Sequence, residues 1–191
     1  STSAVVNGSA VPPAAERNRT SLDLGYVAVD GGTSTAAVEI SNADTHGTEL
    51  TATASIQGSN AYSVASQPAS PIASGGSSVV VVQYDPTTKG SQSATLEIAT
   101  NDPDNPTLNV SLDGTGAEPE ASPSPSPLAF GDVTYGETAT QQLTVTNDGG
   151  VTLEITGVSP AGTDAEQVSI VSGDTSSSIV PGETETYTVA V

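Results

Sequence analysis

Leu22-Asp23-Leu24-Gly25-Tyr26-Val27 is answered by Leu128-Ala129-Phe130-Gly131-Asp132-Val133, 106 residues later (128 − 22). Two further pairs keep nearly the same offset. Val38-Glu39-Ile40-Ser41-Asn42 matches Leu143-Thr144-Val145-Thr146-Asn147, and Ile72-Ala73-Ser74-Gly75 matches Ile179-Val180-Pro181-Gly182 at 107 (179 − 72). The chain is therefore an internal repeat. The first repeat continues from Asp85 to Gly116, through Ala94-Thr95-Leu96-Glu97-Ile98 and Leu108-Asn109-Val110-Ser111-Leu112. The second reaches Val191, level with Tyr84, about two strands short of the first. A sandwich short of two strands is expected to leave a core face and an edge that another segment covers.

Within each repeat, apolar and polar residues alternate over short runs separated by Gly, Asn, Asp and Pro. This is the pattern of half-buried strands, and no run shows helical period with caps. The fold class read from it is all-β: two immunoglobulin-like β-sandwich domains in tandem, the second lacking its last two strands. Residues 1–19 read as an N-terminal extension and candidate donor strand, 20–116 as domain one, 117–126 as a spacer and 127–191 as the incomplete domain two. Proline at alternate positions in Ser122-Pro123-Ser124-Pro125-Ser126-Pro127 predicts an extended, semi-rigid polyproline II spacer. Val79-Val80-Val81-Val82 predicts a strand buried on both faces or lying at an interface. In domain two, strands are expected at Leu128–Val133, Gln141–Thr146, Leu153–Val158, Gln167–Val171 and Glu185–Val191.

Charge sets the class of partner. Twenty-two acidic residues face three basic ones, for a net charge of −19. Such a chain has no basic patch with which to neutralise phosphates, so nucleic acid and anionic membranes are excluded as partners. Ser and Thr supply 52 of the 191 residues and large apolar side chains are few. That is the style of surface proteins and of proteins from high-salt habitats, and a halophilic, archaeal source is expected. The sequence has no Cys, which excludes disulfides and thiolate chemistry, and no apolar run long enough to insert in a membrane.

The segment Thr100-Asn101-Asp102-Pro103-Asp104-Asn105-Pro106-Thr107, followed by Leu108 to Leu112 and Asp113-Gly114-Thr115-Gly116, resembles the immunoglobulin-like ASH or choice-of-anchor D repeats of prokaryotic surface proteins. The opening Leu-x-Leu/Phe-Gly-x-Val, the strand-ending Asn42 and Asn147, and Tyr84-Asp85-Pro86 fit the same resemblance. It covers 20–116 fully and 127–191 in part. It implies the fold and no shared active site.

Residues capable of chemistry are sparse. His46, the only histidine, sits in a turn with no nucleophile elbow around it, so no catalytic residue, enzyme activity or small-molecule substrate is expected. Asp102 and Asp104 read as turn-capping side chains rather than a calcium loop, and no metal or cofactor is expected. Lys89 reads as a solvated lysine in a polar turn. Three Asn-x-Ser/Thr sequons make Asn7, Asn18 and Asn109 candidate glycosylation acceptors. The expected function is a structural subunit of an extracellular cell-surface filament, a homo-oligomer joined by strand donation. Val5 and Val6 would be the inter-subunit strand, one facing in and one out. The alternative is an adhesion or binding module cut from a longer surface-anchored protein.

Overall fold

The computed structural model describes residues 11–191, which divide into two compact units between Gly116 and Ala117. The first unit carries eight strands: β1 (Ala15–Arg17), β2 (Ser21–Ala28), β3 (Ser34–Asn42), β4 (Ala52–Gly58), β5 (Tyr62–Ser66), β6 (Ser77–Tyr84), β7 (Gly90–Thr100) and β8 (Thr107–Ala117). They form two four-stranded sheets in the orders β1-β3-β6-β5 and β2-β8-β7-β4. The alternation read from the sequence decides the facing. Leu22, Leu24, Val38, Ile40, Val80, Val82, Leu96, Ile98, Leu108, Val110 and Leu112 are buried in one core, while their neighbours point out.

The run Val79–Val82 is half out of water, not enclosed on both faces. Val80 and Val82 lie in the core, but Val79 is 46% exposed on the outer face of β6. Tyr62 and Tyr84 stack at 4.6 Å between ring centroids. This pair explains the Gly-Thr-Gly at the end of β8. A Cβ at Gly114 would lie 2.7 Å from the Tyr84 ring and 3.0 Å from the Tyr62 hydroxyl, and one at Gly116 would collide with the Thr88 carbonyl.

The second unit has six strands: β9 (Ala121–Ser124), β10 (Thr140–Asn147), β11 (Leu153–Ile155), β12 (Ser169–Ser172), β13 (Ser177–Ile179) and β14 (Thr184–Ala190). One sheet runs β9-β10-β14-β12, the same order as β1-β3-β6-β5, and β11 pairs with β13 where the first unit has the Leu50–Ile72 bridge.

Four expectations are corrected here. The strand expected at Leu128–Val133 is absent, and the one expected at Leu153–Val158 is cut to β11. In the first unit the equivalent strands, β2 and β4, flank the central pair β8-β7. Without that pair, residues 128–133 and 155–161 have no backbone to bond with. The Pro/Ser segment is not only a spacer, because Ala121–Ser124 pairs antiparallel with β10, with Ala121 opposite Asn147 and Pro123 opposite Val145. Proline fits there because β9 is an edge strand and no ladder bond is lost on its outer side. Likewise Ala15–Arg17, read as part of the extension, is an edge strand on β3, with Ala15 opposite Asn42. Each repeat therefore starts one strand earlier than its sequence pattern suggests.

Candidate interaction site

A buried asparagine ends β3 in the first repeat and β10 in the second, and makes an equivalent set of four bonds in each. Asn42 Nδ2 donates to the carbonyls of Thr48 (2.8 Å) and Ile72 (3.1 Å), and its Oδ1 accepts the N–H groups of Ala14 and Asp44 (both 3.2 Å). Asn147 Nδ2 donates to Val151 and Ile179 (both 2.8 Å), and its Oδ1 accepts from Glu120 (3.2 Å) and Gly149 (3.0 Å). A primary amide has two donors and an acceptor oxygen, so all of its capacity is used. These residues set where β1 and β9 dock, and they are structural.

The acidic end of the first unit is structural as well. Asp102 accepts the N–H of Ala15 (2.8 Å), the N–H of Asp104 (2.9 Å) and the side-chain amide of Asn105 (3.1 Å). Burial by itself would raise this carboxyl, but the Ala15 N–H and the other donors outweigh it, so it sits below the usual aspartate value. Asp44 shows the same balance. Burial is opposed by the N–H groups of Thr48 and His46 and by the His46 ring, which lies 3.1 Å away, and the carboxyl is again lowered. Both carboxylates are occupied by donors, which leaves little for a cation, and among the described residues no group of three His, Cys, Asp or Glu side chains is placed to hold a metal. The His46 side chain is 62% exposed.

The two units differ in how their shared sheet is covered. In the first, Val38 and Ile40 are fully buried; their equivalents Leu143 and Val145 on β10 are only half-buried. Leu22 and Leu24 lie in the core, whereas Leu128 and Phe130 are half-buried in coil. In the second unit Tyr187 and Val189 on β14 and Ile179 on β13 are buried, and Tyr187 donates its hydroxyl to the Asp174 carbonyl (3.1 Å). At the free edge of this sheet, β12 shifts register between Ile170 and Ser172, and Val171 is left 60% exposed. Eleven carboxylates lie in residues 117–191 with no Lys, Arg or His, because Arg17, Arg19, Lys89 and His46 all lie in the first unit.

Of the residues singled out from sequence, Val5, Val6 and Asn7 lie outside the described residues. Asn18 follows β1, is exposed, and extends that strand's pairing: its N–H donates to the Glu39 carbonyl and its Oδ1 accepts the Glu39 N–H (3.0 Å). Asn109 lies opposite Glu97 on β8 and faces solvent. Thr20 and Ser111, each two residues beyond one of these asparagines, are joined by a bond from the Ser111 N–H to the Thr20 carbonyl (2.9 Å). Sequence reading missed β9, the asparagine hubs and the cation-free second unit. The hubs left a signal: Ala15 precedes Asn42 by 27 residues (42 − 15) and Ala121 precedes Asn147 by 26 (147 − 121).

A family model for the ASH domain, Abnormal spindle-like microcephaly-associated, ASPM-SPD-2-Hydin, matches residues 10–108, just over half of the chain. The chain belongs to the ASH family. The ASH match runs from just before β1 into β8. Among solved structures, the chain is similar to the ASH/PapD-like domain 7 of human CEP192, with 20% identity, 63% of this chain and 98% of that one covered, and a TM-score of 0.47. It is also similar to the secreted serine protease VesC of Vibrio cholerae (12% identity, 94% and 45% covered, TM-score 0.41). A third likeness is to the class 5 fimbriae chaperone CfaA (12% identity, 90% and 84% covered, TM-score 0.38). No curated protein matches the chain. Among the described residues no helix is long and apolar enough to cross a membrane.

Proposed function

We propose that this ASH protein is a non-catalytic structural subunit of an extracellular cell-surface filament, assembled from copies of the chain by strand donation. The observation that carries the reading is the second unit. It has the same four-stranded sheet as the first, but its inner residues Leu143 and Val145 are half-buried and its edge strand β12 presents Val171 to solvent. An edge with unpaired backbone and an exposed apolar side chain is a template for another strand. The donor in this reading is the segment around Val5 and Val6 of a neighbouring subunit. Its residues 1–10 carry no charge, so they approach an acidic acceptor without repulsion. Glycans on the exposed Asn18 and Asn109 fit an extracellular location.

Because β1 belongs to the first unit, the deletion that tests donation ends at Ala10. Removing residues 1–10, or replacing Val5 and Val6 with Asp, abolishes filaments in electron micrographs while the first unit keeps its thermal transition. Filaments from the shortened chain that match those of the whole chain would overturn the reading.

A further inference from the structure

Two arginines stand without a carboxylate in a chain that has 22 acidic residues. Arg17 ends β1, Arg19 lies two residues further on, and together they are two of the three Lys and Arg side chains. Neither side chain forms an ion pair or a hydrogen bond with a described residue. Arg17 is half-buried beside a groove lined by Ala15, Thr20, Asn105 and Leu108, and its Nε–H is shielded from water with no acceptor. Glu16 lines the same groove but does not pair with it, and Arg19 is exposed. A guanidinium partly withdrawn from water and lacking a counter-charge favours a carboxylate, which it holds by two parallel N–H···O bonds.

The second unit, with eleven carboxylates and no cation, offers the complementary charge. Asp164 and Glu166 lie at the short 3-10 turn Ala165–Gln167 just before β12. Both are exposed, neither carboxylate receives a bond from a described residue, and they stand two residues apart, as Arg17 and Arg19 do. Their place relates to strand donation. Every pairing in the sheet β9-β10-β14-β12 is antiparallel, so a donor that continues the pattern leaves β12 at its Ser169 end, beside Asp164 and Glu166. Seven residues of chain (17 − 10) separate Arg17 from Ala10, a reach of at most about 25 Å. We infer that Arg17 and Arg19 of one copy bind Asp164 and Glu166 of the next. This rests on the reading of the chain as a strand-donating subunit, and supplies the attraction that offsets, at the contact, the repulsion between two copies of −19 each. The basic patch is in one unit and the acidic patch in the other. The contact is therefore heterologous, the kind that repeats along a filament.

The test measures the critical concentration for filaments of the whole chain, by sedimentation in dilute buffer, against charge-reversed variants. Arg17→Glu with Arg19→Glu is expected to raise it by about tenfold or more, and so is Asp164→Arg with Glu166→Arg. All four substitutions together are expected to return it to within about threefold of the unaltered chain. Asp132→Arg with Glu137→Arg makes the same charge change at exposed residues elsewhere in the second unit, and is expected not to restore the arginine variant. The thermal transition of the first unit reports folding. Should a variant at the half-buried Arg17 misfold, the exposed pair Arg19→Glu and Glu166→Arg is read in the same way, singly and combined. Reversed variants that assemble as the unaltered chain does, no restoration by the matched swap, or equal restoration by the Asp132 and Glu137 control would overturn the inference. Deleting residues 1–10 separates the two proposals. Filaments lost on deletion but indifferent to charge reversal leave only strand donation. Filaments that survive deletion but follow the swap pattern leave only the arginine contact, and a whole chain that forms no filament at any concentration overturns both.

Discussion

Asn42 and Asn147 each satisfy four backbone groups from a buried position, so neither can be shortened without leaving donors and acceptors unpaired. A buried polar group left unmatched costs about 1–3 kcal/mol. Asn42→Ala should lower the urea midpoint of the first unit by a loss at the upper end of that range, and Asn147→Ala should release β9. Gly114→Ala places a methyl against the Tyr84 ring, and overpacking of this kind costs about 1–3 kcal/mol. Asp102 gives a pH signature. Its carboxyl is lowered in the folded state, so its contribution is complete above 3.8, the ordinary aspartate value, and is lost as pH falls through the lower folded value. Melting temperature should therefore drop on the acid side, and Asp102→Asn should flatten that drop. An unchanged acid limb in the variant would contradict the assignment.

At the scale of elements, the two edge strands β1 and β9 carry the surprise. Alternation identified every central strand of the first unit, because period two is strong wherever one face is buried. It was silent on β1, whose three residues include one buried alanine, and misleading on β9, where alternating proline imitates an isolated spacer. Alternation also overstated Leu128–Val133. That hexapeptide has the composition of β2, but a strand needs a neighbour as well as a pattern. The candidate site was thus only partly readable. The shortfall of strands could be seen from the repeat, whereas the half-buried Leu143 and Val145, the edge at Val171 and the role of the Pro/Ser segment depend on pairing between distant residues. Replacing Ala121–Ser124 with a Gly/Ser run of equal length separates strand from spacer. Faster amide exchange in β10 is expected for a strand, and no change for a spacer.

For the whole molecule, the −19 charge and the unequal units have separate consequences. Carboxylates distributed through both units repel one another, and the Debye length shrinks to ~3 Å at 1 M salt. The melting temperature should rise with potassium chloride, and a flat or falling curve would remove the high-salt expectation. The inequality of the units bears on the central claim that residues 117–191 accept strands from elsewhere. The most direct measurement is hydrogen exchange of the whole chain, compared between dilute monomer and assembled protein. In the monomer, β3, β6, β7 and β8 should exchange slowly, while β10, β14 and residues 128–133 exchange fast. On assembly the second set should slow by orders of magnitude. Second-unit amides that are as protected in the dilute monomer as those of the first unit would contradict the account.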